Sequence, residues 1–190
     1  MKDLVNATIN EHAQVVADFH QSSAESIAQI AQAAVDTLQA GNKICFFGNG
    51  GSAADAQHLA TEFVVRFTRQ RRALPAIAFT TDTSAITACA NDFGFDQIFQ
   101  RQAEALCQPG DLVIGISTSG TSPNVALGLK AAKAKGAQTV LFTGLTDGTC
   151  GEHSDLILNV PSKVTARIQE CHILAGHILC DAGEAAMADS

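Results

Sequence analysis

The feature that most restricts the fold is a regular alternation of short apolar runs with longer segments of helical periodicity. Continuous apolar runs of this length are typical of strands in a parallel sheet that is covered by helices on both faces. Five such runs are present, at residues 43–47, 74–79, 112–116, 138–142 and 156–160. The pattern predicts an α/β fold, a three-layer αβα sandwich around a five-stranded, mainly parallel sheet.

The segments between these runs predict the helices. Residues 3–20 and 22–40 predict two extra helices ahead of the first strand, and 144–154, with three glycines, predicts a loop. The remaining helices are predicted at 53–67, 84–90, 96–107, 123–135 and 163–187. Since no linker or repeat interrupts the pattern, we expect one domain over 1–190, with an N-terminal helical segment at 1–40 and the α/β core and C-terminal helix at 41–190.

Composition excludes several classes of protein. With 46% apolar and 16% charged residues the chain has the composition of a globular protein. A net charge of −7 argues against nucleic-acid binding, which needs a basic surface. None of the six cysteines forms a Cys-x-x-Cys pair, no apolar run reaches the length of a membrane span, and the N-terminus has no signal-peptide core. We therefore expect a cytoplasmic protein without a membrane segment.

One strand-to-helix junction is rich in hydroxyl groups. Ser117, Thr118, Ser119 and Ser122 follow the third apolar run and precede Pro123, which suits the first position of a helix. Ser122 is a good N-cap, and the free amides of a first helical turn attract anions. The junction predicts a pocket for a phosphate monoester; the alternative is an ordinary polar loop.

A second junction, 48–53, is rich in glycine and follows the first strand. Its Gly-x-Gly-x-x-Ala spacing loosely matches a dinucleotide fingerprint, but no acidic residue ends the second strand about 20 residues later, as ribose binding requires. We favour a turn at which Gly50 and Gly51 let the backbone approach a small ligand. Because ligands of open α/β sheets bind beyond the carboxyl ends of strands, both junctions should border one pocket.

Polar side chains occupy one face of the helix after this turn. His58, Glu62 and Arg66 are spaced by four residues, with Asp55 one turn earlier. A histidine and a glutamate at this spacing suit one edge of a divalent-metal site, and the glutamate equally suits a general base. A solvated helix face is the alternative. The arginines at 66–72 suit the carboxyl end of that helix.

The last predicted helix is apolar except for a few side chains, among them Gln169 and His177. Polar groups in so apolar a helix need partners. Helix geometry separates these two by about 12 Å along the axis and about 80° around it, so one shared ligand would require both to lean inward. A satisfied core or interface histidine remains the alternative for His177.

Taken together, these motifs resemble the phosphoheptose isomerases, bacterial enzymes of the sugar-isomerase (SIS) domain superfamily. The resemblance extends from about residue 40 to about 180. Its motifs lie at 48–52, 55–58 with Glu62, 91–94, 115–120 and 167–170 with His177. The resemblance implies a SIS domain of flavodoxin-like, nucleotide-binding-type topology.

It further implies an aldose–ketose isomerase that converts D-sedoheptulose 7-phosphate to D-glycero-D-manno-heptose 7-phosphate, the first step of bacterial activated-heptose biosynthesis for lipopolysaccharide. A cytoplasmic homotetramer with one Zn²⁺ per subunit is implied as well. The implied catalytic residues are Glu62 and His177, and the implied zinc ligands are His58, Glu62, Gln169 and His177. The implied substrate contacts are Asn49, Gly50, Gly51, Ser52, Glu62, Asn91, Asp92, Ser117, Thr118, Ser119, Ser122 and Gln169.

Two alternatives belong to other functional classes. A relative of this fold is a non-enzymatic tetrameric scaffold that binds the replication initiator DnaA, but that branch lacks the full set His58, Glu62, Gln169 and His177. A phosphosugar-sensing regulator would carry a DNA-binding domain, and no basic helix-turn-helix segment precedes residue 40.

Overall fold

The structure, a computed structural model, describes residues 1–188. Five parallel strands form one sheet in the order β2-β1-β3-β4-β5. The strands are β1 (Ile44–Gly48), β2 (Ala76–Ala78), β3 (Leu112–Ser117), β4 (Gln138–Thr143) and β5 (Leu156–Asn159). The α/β prediction is confirmed, and the strand order is that of flavodoxin-like folds.

Seven α-helices connect these strands within the described residues. They are α1 (Lys2–Gln39), α2 (Gly51–Val64), α3 (Thr83–Phe93), α4 (Ile98–Leu106), α5 (Pro123–Ala134), α6 (Gly148–Gly151) and α7 (Thr165–Met187), with a 3₁₀ turn at Phe95–Gln97. No helix within residues 1–188 combines the length and the apolar character that crossing a bilayer demands.

The helices form two layers because alternate strand residues point to opposite faces of the sheet. Ile44 and Phe46 of β1 pack with α1, α2 and α7 in one apolar core. Cys45 and Phe47 pack with α3, α4 and α5 in a second core on the opposite face. Both faces of the central strands β1 and β3 are therefore covered, which explains why these strands are continuous apolar runs in the sequence.

Several predictions about helices were wrong in detail, including the end of α3, which lies at Phe93 and not at residue 90. The two expected N-terminal helices are one helix, α1, because no glycine or proline interrupts the backbone near residue 21. The expected loop 144–154 contains α6. Helix α2 ends at Val64, so Arg66 lies beyond the helix and not on the face of His58 and Glu62. Helix α7 begins at Thr165, two residues later than expected.

Contacts near the start and in the middle of α1 fix it against α7 and the sheet. The buried guanidinium of Arg167 donates to the Thr8 carbonyl at 3.0 Å and to Glu170 at 2.6 Å. Glu170 also bonds Nδ1 of His12 at 2.7 Å, and Ser23 donates to the Asn159 carbonyl at 2.8 Å. The start of α7 thereby has a fixed position beside the carboxyl ends of the strands.

Candidate active site

A cavity of about 260 Å³ lies where the strand order reverses, between the carboxyl ends of β1 and β3. This is the place at which open α/β sheets bind ligands. The loop after β1, the loop after β3 and the first turns of α7 form its walls. Its polar lining consists of Asn49, Gly50, Gly51, Ser52, Ser117, Thr118, Ser122, Thr165 and Gln169. The two junctions therefore do border one pocket, as the sequence predicts.

The hydroxyl-rich loop ends at the start of α5. Ser122 occupies the N-cap position and Pro123 the first helical position, as predicted. The Ser122 hydroxyl makes no capping bond; it lies 2.9 Å from the hydroxyl of Ser117, at the end of β3. The first-turn amides of α5 therefore lack a side-chain cap, and together with the hydroxyls they provide uncharged donors for an anion.

A reciprocal pair of amides joins the two loops. Nδ2 of Asn49 donates to Oδ1 of Asn124 at 2.9 Å, and Nδ2 of Asn124 donates to Oδ1 of Asn49 at 2.8 Å. Asn124 is buried in the first turn of α5. No pattern in the sequence distinguishes Asn124, because an asparagine near a helix start has many ordinary uses. The pair sets the distance between the glycine-rich loop and the hydroxyl-rich loop.

Gln169 closes the cavity from the side of α7. A Cβ atom added to Gly51 would lie 2.6 Å from Nε2 of Gln169. The absence of a side chain at Gly51 therefore makes room for the Gln169 amide at the start of α2. Thr165, one turn earlier on α7, also lines the cavity, and no pattern in the sequence indicated it.

Helices α2 and α7 run in the same direction away from this cavity. Gly51 lies against Gln169, Leu59 against Gly176, and Phe63 against Gly183. The two glycines of α7 allow the close approach, since a Cβ at either position would meet an α2 side chain. Residues at matching heights on the two helices therefore face each other.

His58 and His177 meet in this way, with their Nε2 atoms 2.8 Å apart. Glu62, one turn further along α2, places Oε1 3.7 Å from Nδ1 of His58. Burial lowers the pKa of His177, the nearby positive charge of His58 lowers it further, and the carboxylate of Glu62 opposes the shift. The structure thus brings together the two predicted acid–base residues, Glu62 and His177, with the predicted metal ligand His58 between them on facing helices.

Other predicted residues lie elsewhere. Asn91 and Asp92 lie exposed near the end of α3, where the Asn91 amide donates to Asp92 at 2.8 Å, and they do not line the cavity. Ser119 is exposed and accepts a hydrogen bond from the Thr121 amide at 3.2 Å. Their roles stay predictions.

The donor chemistry at His58, Glu62 and His177 suits zinc, which binds imidazole nitrogen and carboxylate oxygen. Glu62 and His177 approach different nitrogens of the His58 ring, however, and Gln169 lies opposite Gly51, at the other end of the helix pair. Accordingly, no three His, Cys, Asp or Glu side chains of residues 1–188 are arranged to hold an ion. Joint coordination would require side chains to move, and His58 is the most exposed of the three at 46%.

Asp55 is an additional polar group near this cluster that has no partner. Its Oδ2 is buried and makes no hydrogen bond to any described residue. Burial raises the pKa of Asp55, and the charge of His58 opposes this rise. A buried carboxylate oxygen without a donor is costly, so we expect a ligand, water or another subunit to supply one.

Comparison with known proteins identifies the family to which the chain belongs. The SIS-domain family model matches residues 9–144. The phosphoheptose isomerase of Paramagnetospirillum magneticum is 55% identical over 180 residues, covering 95% of this chain and 94% of that protein. That of Aquifex aeolicus is 52% identical over 181 residues, covering 95% of each chain.

Solved structures show the same relationship. A phosphoheptose isomerase from Francisella tularensis superposes with a TM-score of 0.93 at 35% identity, covering 96% of this chain and 97% of that one. Phosphoheptose isomerase GmhA from Neisseria gonorrhoeae gives a TM-score of 0.90 at 41% identity, covering 96% and 98%. With similarity over nearly the whole chain in both sequence and fold, this chain belongs to the phosphoheptose isomerase family of SIS-domain proteins.

Proposed function

We propose that the chain is an aldose–ketose isomerase that converts D-sedoheptulose 7-phosphate into D-glycero-D-manno-heptose 7-phosphate. One observation supports this proposal most directly: Glu62, His58 and His177 lie close together on two helices that start at the cavity. That cavity is lined with hydroxyls and glycine-rich backbone. The reaction would be the first step toward activated heptoses in bacteria. The comparisons do not favour the alternative of a DnaA-binding scaffold, because the relatives at about half identity are named as isomerases.

The phosphate end of the substrate would occupy the cavity. Ser117, Thr118, Ser119 and Ser122 would bind it together with the first-turn amides of α5, since a helix N-terminus favours an anion. Asn49, Gly50, Gly51, Ser52 and Gln169 would bind the sugar next to it. From Gly51 to His58 helix α2 rises by about 10 Å, a length of the order of an extended seven-carbon chain. Binding at one end would thus place the carbonyl end near the acid–base residues.

Isomerisation needs a proton removed from C1 and a proton delivered to C2 of the intermediate enediol. We assign both transfers to Glu62, which would take the C1 proton as general base and, once protonated, return it to C2, because a carboxylate suits this exchange. His177 would exchange protons with the substrate hydroxyls. Its lowered pKa supports this role, because the ring is then largely uncharged near neutral pH and one nitrogen can accept a proton. Asn91 and Asp92 stay in the proposal as substrate contacts.

Zinc is part of the proposal, with His58, Glu62, Gln169 and His177 as ligands. When bound near the two substrate oxygens, the metal would stabilise developing negative charge as a Lewis acid. The donor set supports this choice, and the observed separation of Gln169 from His177 makes Gln169 the ligand that must move most. Metal content of the purified protein, before and after His58→Ala, tests the assignment, with His153→Ala as the control for a histidine outside the cluster.

The proposal includes a cytoplasmic homotetramer. An apolar cavity of about 280 Å³ between α1 and α7 supports self-association, because its lining includes Val16, Ile27, Leu174 and Ile178 and almost no polar surface. The six cysteines, all free and buried, support a reducing compartment. Sedimentation or light scattering of the purified chain tests the oligomeric state.

The deciding experiment measures turnover of sedoheptulose 7-phosphate by the wild-type chain, with and without a chelator. Production of the aldose supports the function, and loss of turnover with chelator, restored by Zn²⁺, supports the metal. Absence of turnover by a folded protein supplied with zinc would contradict the proposed function.

A further inference from the structure

The segment between α2 and β2, residues 65–75, is fixed by a carboxylate that the proposed reaction does not use. Glu184, near the end of α7, is completely buried. Its oxygens accept hydrogen bonds from the backbone amides of Phe67 at 2.6 Å, Thr68 at 2.8 Å and Arg69 at 2.7 Å. Favourable charge at the carboxyl end of a helix, expected for the arginines at 66–72, does not account for this arrangement.

A buried cation completes the arrangement. Nη2 of Arg71 lies 3.1 Å from Oε1 of Glu184, and both side chains have no exposed surface. Burial alone would raise the pKa of Glu184, but the three amides and the charge of Arg71 outweigh it and lower the pKa to about 2. Glu184 is therefore a fixed negative charge at neutral pH.

Two contacts lead from this carboxylate to the acid–base residues. Nη2 of Arg71 also donates to the backbone carbonyl of Glu62 at 2.7 Å. The ring of Phe67, whose amide binds Glu184, stacks on the ring of His177 with centroids 5.2 Å apart and planes at 28°. Glu184 itself lies seven residues, about two turns, beyond His177 on the same helix.

We infer that Glu184 is a positioning residue, which acts through Arg71 on the backbone at Glu62 and through Phe67 on the imidazole of His177. There are two chains of contacts, which we call the Arg71 branch and the Phe67 branch. Both start at the carboxylate of Glu184; the first ends at Glu62 and the second at His177. The carboxylate thus ties the end of α2 to α7 at the level where the two residues must stay in register. This inference rests on the proposed function for the roles of Glu62 and His177.

The test compares Glu184→Gln with Asp181→Asn. Asp181 pairs with Arg69 and so joins the same segment to the same helix, but on the exposed side, and within residues 1–188 its ion pair is to Arg69 and not to Arg71. At a temperature where circular dichroism shows both variants folded, we expect Glu184→Gln to lower kcat about tenfold and to change KM less than twofold, since small misplacements of catalytic groups reduce kcat. Asp181→Asn should retain kcat. A folded Glu184→Gln enzyme with wild-type kcat would overturn the inference.

A second variant isolates one branch. Phe67→Leu removes the ring beside His177 but leaves the backbone amide that Glu184 binds. We expect it to lower kcat as well, and the double variant with Glu184→Gln to lose less than the product of the two single losses, because both act on the same imidazole. If Glu184→Gln does not fold, Phe67→Leu decides, and an unchanged kcat would refute the Phe67 branch.

An observable without turnover separates this inference from the proposed function. The Cε1–H resonance of His177 should move in Glu184→Gln and in Phe67→Leu and stay in place in Asp181→Asn. If the wild type fails to isomerise the heptose, these shifts still decide whether Glu184 positions His177. A resonance that is the same in all four proteins would overturn the inference even where the isomerase activity is confirmed.

Discussion

The Nε2 atoms of His58 and His177 lie 2.8 Å apart, although 119 residues separate them in the chain. Two imidazoles at this distance share one hydrogen, so one Nε2 donates and the other accepts. The rings meet edge to face, with centroids 5.1 Å apart and planes at 67°. This contact joins α2 to α7 beside Glu62, among the residues to which the proposed chemistry is assigned.

Replacing Glu62 by Gln should lower kcat by about 10²–10⁴-fold, because the amide cannot accept the C1 proton. His177→Ala should also lower kcat. Neither change should move the thermal midpoint by more than a few degrees, since Glu62 and His177 are only partly buried. Initial rates with sedoheptulose 7-phosphate, measured beside circular dichroism, provide the check. Wild-type turnover in both variants would remove the catalytic assignment and leave the fold untouched.

Gly51→Ala should raise KM about tenfold with little loss of stability. The new methyl group would occupy the position of the Gln169 amide, 2.6 Å away, and a flexible side chain can move aside at small cost. A lost hydrogen bond of ordinary strength accounts for about this change in KM. In a Gln169→Ala background the same substitution should have no further effect on KM. An additive effect there would show that Gly51 acts through something other than Gln169.

Asn124→Ala should weaken substrate binding and the fold together. It removes both hydrogen bonds to Asn49 and leaves that amide without its partner, at a cost of about 1–3 kcal/mol. We expect KM to rise several-fold because the two loops lose their fixed separation. Urea unfolding and steady-state kinetics measure the two effects, with the exposed Asn6→Ala as control. Wild-type KM in Asn124→Ala would contradict the role given to the amide pair.

His172 should make the fold sensitive to acid. Burial lowers its pKa to about 4, and the hydrogen bond from Nε2 to the Thr143 carbonyl opposes this shift only in part. The unfolded chain, with a histidine pKa near 6.5, binds the proton more readily, so stability falls as the pH drops from about 6.5 toward 4. By pH 5 the loss from this residue is about 2 kcal/mol.

Urea unfolding at pH 7.5 and pH 5 tests the role of His172. The variant His172→Gln, which cannot take up the proton, should lose less stability between these two values than the wild type. Equal losses in the two proteins would assign the acid sensitivity to other groups.

Much of the site follows from local sequence. The hydroxyls at 117–122 and the glycines at 50–51 can be recognised from the sequence, because each set follows an apolar strand and precedes a helix. Since parallel strands end at one edge of the sheet, both sets are expected to lie near one pocket. The four-residue spacing of His58 and Glu62 places them on one helix face whatever surrounds the helix. Spacing alone did not distinguish whether these residues serve catalysis, bind a metal or form a solvated surface. The resemblance to phosphoheptose isomerases supplied the roles that are proposed for them.

Which residues distant in the chain contact each other was determined only by the tertiary structure. The parallel packing of α2 against α7 places His177 opposite His58 and Gln169 opposite Gly51. This packing needs glycine at 176 and 183, because Leu59 and Phe63 of α2 occupy the space that a side chain there would fill. The burial of Glu184 beneath the amides of 67–69 and the pairing of Asn49 with Asn124 likewise join segments far apart in sequence. Periodicity specifies which side of a helix is apolar, but the height and angle at which two helices meet depend on side-chain packing across the whole core.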